Sequence, residues 1–330
     1  MKKSYYIYSE AQLKRKDNTL QILTIDGNKR DIPIENIQEI YVMNEMTFNT
    51  SLINICSQYG ILLHFFNYYD FYIGSFYPRE VNVSGSLLVQ QVENYIDDKR
   101  RLVIAKEFVY GATEGILRNL RYYNERGKDL KEYIKEINSL KNEIQFQNDI
   151  NELMGVEGNI HKIYYDSWNT IINQEIDFEK RVKRPPDNMI NTLISYVNSL
   201  IYTKVLSQIY LTQLNPTISY LHSAGNRRFS LALDIAEIFK PLIGDRLIFS
   251  VLNKNQITEK HFIKDLNYMS LTKEGSMIIS KELEERLQRT IRHKELNKNV
   301  SYLYLMRIEC YKIIKHLINE KEYSSFKLWW

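Results

Sequence analysis

The spacing of apolar residues changes near Gly85, and this change constrains the possible folds of the 330-residue chain most strongly. Before Gly85, short apolar runs with strand spacing are separated by turn signals, one of them at residues 26–28. From Ser86 onward, apolar residues recur at helical spacing and charged residues occupy the opposite face. We therefore predict an α+β fold in which an N-terminal β-sheet domain, residues 1–85, precedes a larger all-α domain, residues 86–330.

Prolines divide the helical part. Proline lacks the backbone N–H that a helix interior needs, so helices are expected to end near Pro185-Pro186, Pro216 and Pro241. The apolar spacing predicts helices at 86–124, 131–153, 190–214, 229–239 and 300–318, and a short helix at 50–59 inside the β-sheet domain.

Composition and cysteine usage narrow the class of protein. Cys56 and Cys310 are far apart and each has apolar neighbours, which argues against a disulfide framework or a zinc site. No segment approaches the roughly 20 apolar residues of a membrane span, and the basic N-terminus lacks an apolar core, so a cytoplasmic location is expected. The formal net charge of +4 does not identify a nucleic-acid binder, although the basic residues are clustered rather than spread.

The apolar helical stretch at 229–239, FSLALDIAEIF, carries only two charges, Asp234 and Glu237. Both carboxylates lie on one side of the helix, and burying them ionised without a partner costs roughly several kcal/mol, so a partner is expected. A histidine, two carboxylates and a basic approach would suit a divalent metal that acts on a phosphate. A structural histidine, and ion pairs with the arginines or other buried cations, are the alternatives. The upstream residues in question are His222, Arg227 and Arg228.

Glu157, flanked by Gly155 and Gly158, forms a second candidate site. Glycines are unfavourable in a helix interior and indicate a helix start, where Glu157 could simply stabilise the N-terminus through the helix dipole. Helical spacing would place His161 one turn beyond Glu157, which makes the two residues a candidate i,i+4 ligand pair.

A third motif, KRPPDN at 183–188, predicts the start of a helix. The two prolines define the first turn, and either Asp187 or Asn188 can cap the helix. Lys183 and Arg184 are then left on the rim. Taken alone, this motif indicates a helix start and nothing more.

Taken in order, these motifs closely resemble those of the Cas1 family, the CRISPR-associated integrases of spacer acquisition. The pattern is GxEG, then RPP before an Asn-containing apolar helix, then His followed by SLxLDxxE. The matching residues are Gly155-Val156-Glu157-Gly158, Arg184-Pro185-Pro186 with Asn191 and Ser195, and His222 with Ser230-Leu231-Ala232-Leu233-Asp234-Ile235-Ala236-Glu237. The N-terminal strands at 32–34 and 61–66 are similar too, so the resemblance spans nearly the whole chain.

The resemblance implies that the helical domain holds a catalytic metal and that the β-sheet domain mediates dimerisation. It places the catalytic metal ligands on Glu157, His222 and Glu237, with Asp234 either an alternate ligand or an acid behind them. The implied cofactor is Mn²⁺ or Mg²⁺, and the imidazole favours Mn²⁺. The implied reaction is attack of a DNA 3′-hydroxyl on a phosphodiester, which inserts a new spacer into a CRISPR array. Phosphate contacts are expected from Lys183, Arg184, Arg227 and Arg228.

The resemblance also implies partners: DNA that is double-stranded, branched or has 3′ ends, a second copy of the chain, and a small ferredoxin-like protein of the Cas2 family. This chain departs from the family pattern at His161, where many members have a small residue, and at Glu237, where aspartate is frequent. Two competing hypotheses remain. One is a DNA-binding scaffold without its own catalysis, whose DNA affinity would be indifferent to chelator. The other is an unrelated helical interaction protein with buried ion pairs.

Overall fold

The structure is a computed structural model that describes residues 2–176, 178–182, 185–225, 229–264 and 268–327. A strand-rich N-terminal part precedes a mostly helical part, which confirms the predicted α+β class. The N-terminal helix α1 is Thr50–Tyr59, as the apolar spacing predicts. The strands of this part are β1 Lys3–Ile7, β2 Ala11–Lys16, β3 Thr19–Thr24, β4 Lys29–Pro33, β5 Ile37–Val42, β6 Met46–Phe48, β7 Leu62–Phe66 and β8 Tyr72–Phe76.

Within residues 2–76 the strands form two four-stranded sheets, with the orders β1-β5-β7-β8 and β4-β3-β2-β6. β5 pairs in parallel with β1 and β7, and β8 closes this sheet as an antiparallel edge. β2 pairs antiparallel with β3 and parallel with β6. Leu13, Ile40 and Ile55 are fully buried in one cluster, so the two sheets and α1 share a hydrophobic core.

The rest of the described chain consists mainly of helices. They are α2 Gly85–Ile96, α3 Asp98–Asn124, α4 Lys131–Glu143, α5 Ile150–Asp166, α6 Trp168–Ile171, α7 Met189–Tyr210, α8 Ser230–Phe239, α9 Arg246–Asn253, α10 Lys273–Gln288 and α11 Tyr302–Leu317. This part also contains two antiparallel two-stranded ribbons. In one, β9 Phe262–Lys264 pairs with β10 Met269–Leu271, and in the other, β11 Thr290–His293 pairs with β12 Lys298–Ser301. The second part is therefore mostly, not wholly, helical. The sequence did not predict these strands, because three or four residues are too few to show a recognisable alternation of apolar and polar residues.

Several helix boundaries differ from the sequence prediction. Asp97 separates α2 from α3 and caps α3, where its carboxylate accepts two backbone N–H groups at 3.0 Å. Asp149 caps α5 by accepting the Glu152 N–H at 2.9 Å, and the predicted helix at 131–153 is therefore two helices. Pro241 does not end the chain's helical course, because it lies near the start of a π-helical stretch, Lys240–Asp245, that joins α8 to α9.

Helix α7 is the centre of the second part. Nearly all of its side chains are buried on every side, as expected for an interior helix, and α8 packs against both α7 and α3. Tyr41 of β5 and Leu62 of β7 belong to the same hydrophobic cluster as α7, so the strand-rich and helical parts are packed together. Cys56 and Cys310 are buried free thiols. None of the helices that the structure describes combines the length and the hydropathy needed to cross a membrane.

Candidate metal centre

Three potential donor side chains from two distant segments meet at one point. Glu157 and His161 lie on α5, and Glu237 lies on α8. One carboxylate oxygen of each glutamate and one ring nitrogen of His161 all lie within 4.8 Å of one another. The Glu237 side chain is only 7% exposed, whereas those of His161 and Glu157 are 18% and 23% exposed. The cluster is therefore shielded on the α8 side and reachable from solvent on the α5 side.

The position of Glu157 within α5 corrects a sequence prediction. Gly155 and Gly158 predict a helix start, but both lie inside α5, which begins at Ile150. Two interior glycines cost about 2 kcal/mol, and burial of the apolar face of α5 offsets that cost. Tertiary packing thus outweighs local propensity, and the helix holds Glu157 and His161 one turn apart on the same face.

The two glutamates face His161 from different helices. His161 Nε2 lies 3.2 Å from Glu157 Oε1 and 3.9 Å from Glu237 Oε2. The other carboxylate oxygen of Glu237 forms an ion pair with Lys240, three residues further along the chain. Glu237 therefore directs one oxygen at Lys240 and the other at the imidazole.

Asp234 has a different role from Glu237, although both lie on α8. Its carboxylate accepts the backbone N–H groups of Tyr220, Leu221 and His222 at 2.6, 2.9 and 3.0 Å. It also accepts a hydrogen bond from His222 Nδ1 at 2.8 Å. Both oxygens of this fully buried carboxylate are therefore occupied, and Nε2 is the nitrogen of His222 that remains for another partner.

The loop that carries His222 is also held from its carbonyl side. Arg101 on α3 donates from Nε to the Tyr220 carbonyl at 2.7 Å. Ser219 Oγ donates to the His222 carbonyl at 2.7 Å. Asp234 accepts from the backbone N–H groups of this loop, and Arg101 and Ser219 donate to its carbonyls. The backbone that carries the His222 side chain is therefore held by hydrogen bonds from both sides.

Burial and neighbouring charges act in opposite directions on the titrating groups. Burial alone would raise the pKa of Glu157, but His161, then Lys240 and His222, hold that pKa below its ordinary value. Burial alone would lower the pKa of His161, but Glu157 and Glu237 raise it above its ordinary value. For His222, burial again lowers the pKa, while Asp234 and then Glu237 raise it overall. The charge of His222 therefore influences Glu157, and the charge of Glu237 influences His222.

Asp245, at the end of the π-helical stretch, lies behind the cluster. Burial raises its pKa to about 7, a tendency that the charge of Glu237 reinforces. The charges of His161 and Lys240 and a hydrogen bond from Tyr164 act against this increase. The Asp245 carboxyl therefore holds its proton more readily than an ordinary aspartate.

The donor set fits a divalent cation. Donor atoms bound to one ion at about 2.1 Å lie about 3 to 4.2 Å apart. The separations of 3.2 and 3.9 Å from His161 Nε2 to the two glutamate oxygens are within that range. Two carboxylates with imidazole nitrogen suit Mn²⁺ and tolerate Mg²⁺.

The residues predicted from the sequence occupy different positions relative to the cluster. Glu157 and Glu237 lie together in the cluster, His222 adjoins it electrostatically, and Asp234 lies behind His222. Asn188, one of two predicted caps, accepts the Asn191 N–H at 2.9 Å and begins α7. The predicted phosphate-binding residues are outside the described part of the chain: Lys183, Arg184, Arg227 and Arg228.

Sequence reasoning missed Lys240, Asp245 and Arg101. The three-residue spacing from Glu237 to Lys240 is a detectable helical signal, but Pro241 predicts that the helix has ended there. Because the helix was expected to end at Pro241, Asp245 was not expected near the site. Arg101 gives no local signal, since its partner carbonyls lie more than 100 residues away in the chain.

Comparison with known proteins gives a consistent result. The sequence profile described as CRISPR associated protein Cas1 matches residues 5–285. A CRISPR-associated endonuclease Cas1 from Fusobacterium nucleatum subsp. nucleatum is 62% identical over 330 residues, which is 100% of this chain and 98% of the relative. The solved structure of a Cas1 protein from Thermotoga maritima has a TM-score of 0.87 and 40% identity, and the match covers 98% of this chain and 100% of that chain.

Two more distant structures share the fold alone. One is a casposase bound to an integration product, with a TM-score of 0.85, 20% identity, and coverage of 98% of this chain and 93% of that chain. The other is a chain of a Cas6-RT-Cas1–Cas2 complex, with a TM-score of 0.87 and 16% identity. That match covers 99% of this chain and 36% of that chain.

Proposed function

Because this chain belongs to the Cas1 family of CRISPR-associated proteins, we propose that it is a metal-dependent DNA endonuclease and integrase. It inserts new spacer DNA into a CRISPR array when a DNA 3′-hydroxyl attacks a phosphodiester, and the 3′-oxygen of the target strand leaves. The observation that carries the proposal is the convergence of Glu157 and Glu237 on the His161 imidazole, while the His222 imidazole interacts with the charges of both glutamates.

The proposed ligands of Mn²⁺ or Mg²⁺ are Glu157, His222 and Glu237. When bound, the ion polarises the phosphate and lowers the pKa of the attacking hydroxyl or water. Asp234 accepts a hydrogen bond from the Nδ1–H group of His222. This bond selects the tautomer whose Nε2 lone pair can bind a cation. We therefore assign Asp234 a positioning role behind His222 rather than a place among the ligands.

Other residues of the chain determine the charge of this site and its accessibility to DNA. Lys240 offsets part of the negative charge on Glu237, which lowers the cost of burying that carboxylate. Gly155 and Gly158 are exposed, and a Cβ at either position would meet nothing within 4 Å. The surface of α5 beside Glu157 is therefore low and open, so a DNA strand can approach the carboxylate.

The proposed partners are DNA that is double-stranded, branched or has 3′ ends, a second copy of the chain, and a small ferredoxin-like protein of the Cas2 family. We assign dimerisation to residues 1–85 and catalysis to residues 86–330. A solved Cas1–Cas2 complex that contains this fold supports the Cas2 assignment. Planar guanidinium groups match phosphate oxygens, so the basic motifs are proposed as backbone contacts. These are Lys183, Arg184, Arg227 and Arg228.

Strand cleavage and joining on branched DNA, measured with Mn²⁺ and with Mg²⁺, test the proposal. Glu157→Ala and His222→Ala should each reduce the rate by at least about a hundredfold, because each removes a group that stabilises charge in the transition state. Lys162→Ala, a change of an exposed residue on the same helix, is the matched control and should retain the wild-type rate.

Melting temperature and DNA affinity of both variants should stay close to those of the wild-type protein. If cleavage and joining survive both substitutions, the assignment of the site is wrong. If DNA binds in a salt-dependent way but is neither cut nor joined at any metal concentration, the protein is a DNA-binding scaffold instead.

A further inference from the structure

His161 is the one donor of the cluster that the proposed ligand set leaves without a role. It lies on α5 one turn beyond Glu157, and its Nε2 is the ring atom nearest both glutamates, at 3.2 and 3.9 Å. Its Nδ1 is buried and has no hydrogen-bond partner among the described residues. The ring therefore directs a single nitrogen at the position between the two carboxylates.

His161 can serve as a counter-ion for Glu157, but Glu237 has a cation of its own. Lys240 already forms an ion pair with one oxygen of Glu237, so that carboxylate does not depend on His161 for a cation. The carboxylates of Glu157, Glu237 and Asp234 and the ammonium group of Lys240 together carry two net negative formal charges. A divalent cation matches this formal charge.

We propose that His161 is a fourth protein donor to the divalent ion, and that its nitrogen shifts the metal preference of the centre towards Mn²⁺. The inference rests on the proposed function and extends it, because it concerns which ion this site selects. A donor set of two carboxylates and two imidazoles binds Mn²⁺ better than Mg²⁺, which favours oxygen ligands and water. A relative with a small residue at this position would present one nitrogen fewer to the ion.

The experiment counts the nitrogen donors directly in the wild-type protein. Metal-free protein with ¹⁵N-labelled histidine is loaded with Mn²⁺, and pulsed electron paramagnetic resonance measures the nitrogen couplings. Two coupled histidine nitrogens are expected, from His161 and His222. A single coupled nitrogen overturns the proposal without the need for any variant.

Metal affinity supplies the second measurement. In His161→Gln the side-chain oxygen can replace the nitrogen, so the Mn²⁺ dissociation constant should rise by about tenfold or more. The Mg²⁺ dissociation constant, measured by competition, should change much less. Lys162→Ala should keep both wild-type values, because that side chain is exposed and outside the cluster.

An unchanged ratio of Mn²⁺ to Mg²⁺ affinity in His161→Gln overturns the role of His161 but leaves the proposed function intact. If the variant does not fold, the nitrogen count in the wild-type protein still decides. If the wild-type protein binds no Mn²⁺, this inference fails, and chelator-resistant DNA joining would show that the metal dependence in the proposed function fails too.

Discussion

Asp234 and Glu237 are three residues apart on one helix, yet their surroundings assign them different roles. Asp234 is fully buried and its oxygens accept three backbone N–H groups and His222 Nδ1. Glu237 pairs with Lys240 and faces His161 across 3.9 Å. A buried carboxylate with all its acceptor positions filled orients other groups, whereas one with an oxygen facing an open position can bind a cation.

Asp234→Asn tests the positioning role. The amide cannot replace the charge of the carboxylate, so the pKa of His222 should fall from its raised value and the Mn²⁺ affinity should drop about 10- to 100-fold. Histidine NMR titration and a Mn²⁺ binding isotherm measure the two effects. An unchanged His222 titration together with wild-type Mn²⁺ affinity would show that Asp234 does not act through this ring.

A half-buried carboxyl group, that of Asp70, links the first sheet to the helical part. Asp70 lies in the turn between β7 and β8, with a left-handed backbone at φ 59. Its Oδ2 accepts a hydrogen bond of 2.6 Å from Ser276 Oγ on α10, so this turn ties the first sheet to that helix. Burial raises the pKa of Asp70 to about 7, although the Ser276 hydrogen bond opposes the increase. Tyr8 and Tyr196 are the neighbouring titratable groups.

The raised pKa of Asp70 predicts a pH dependence of stability. Between the unfolded value near 4 and the folded value near 7, the native state binds more protons than the unfolded state. The contribution of Asp70 to the unfolding free energy therefore falls with rising pH, by at most about 1.4 kcal/mol per unit. Urea unfolding between pH 5 and 7 should show this slope in the wild-type protein and a flatter one in Asp70→Asn. Asp17→Asn, in an exposed turn, should keep the wild-type slope.

The strand-rich and helical parts of the protein are joined by a buried charge network. Lys204 of α7 donates to Ser4 Oγ at 2.7 Å and to Glu39 Oε1 at 2.8 Å, and it also pairs with Glu284 of α10. Lys204 and Glu39 are fully buried. Burial would raise the pKa of Glu39, but Lys204 and then His64 lower it far below its ordinary value. The ammonium group therefore compensates charges contributed by β5 and α10 at once.

Lys204→Met should destabilise the protein by about 3–5 kcal/mol, because it leaves the buried Glu39 carboxylate without its cation. Chemical unfolding measures the loss. Lys16→Met is the control, since the Lys16–Asp31 pair at 3.0 Å is exposed to solvent and its loss should destabilise the protein far less. Equal losses in the two variants would mean that the buried network does not stabilise the contact between the two parts.

Structural features that depend on residues close together in the sequence could be predicted from the sequence. The predicted helix at 50–59 has the bounds that the structure shows, and α8 begins one residue inside the predicted 229–239. The change of apolar spacing at Gly85 marks the start of α2. The acids on α8 and α5 were also identified, because a charge in an apolar helix and a fixed motif spacing are visible in a linear sequence.

The sequence by itself determined the class of fold, most helices and the identity of the acidic residues at the site. Only the tertiary structure decided that α5 begins before Gly155, that Asp234 accepts hydrogen bonds from His222 and its loop, and that Glu237 lies beside the Glu157–His161 pair. The physical reason is that helical periodicity is a local property of the chain. The partner of a buried charge is chosen by the packing of α3, α5 and α8, which brings together residues far apart in sequence.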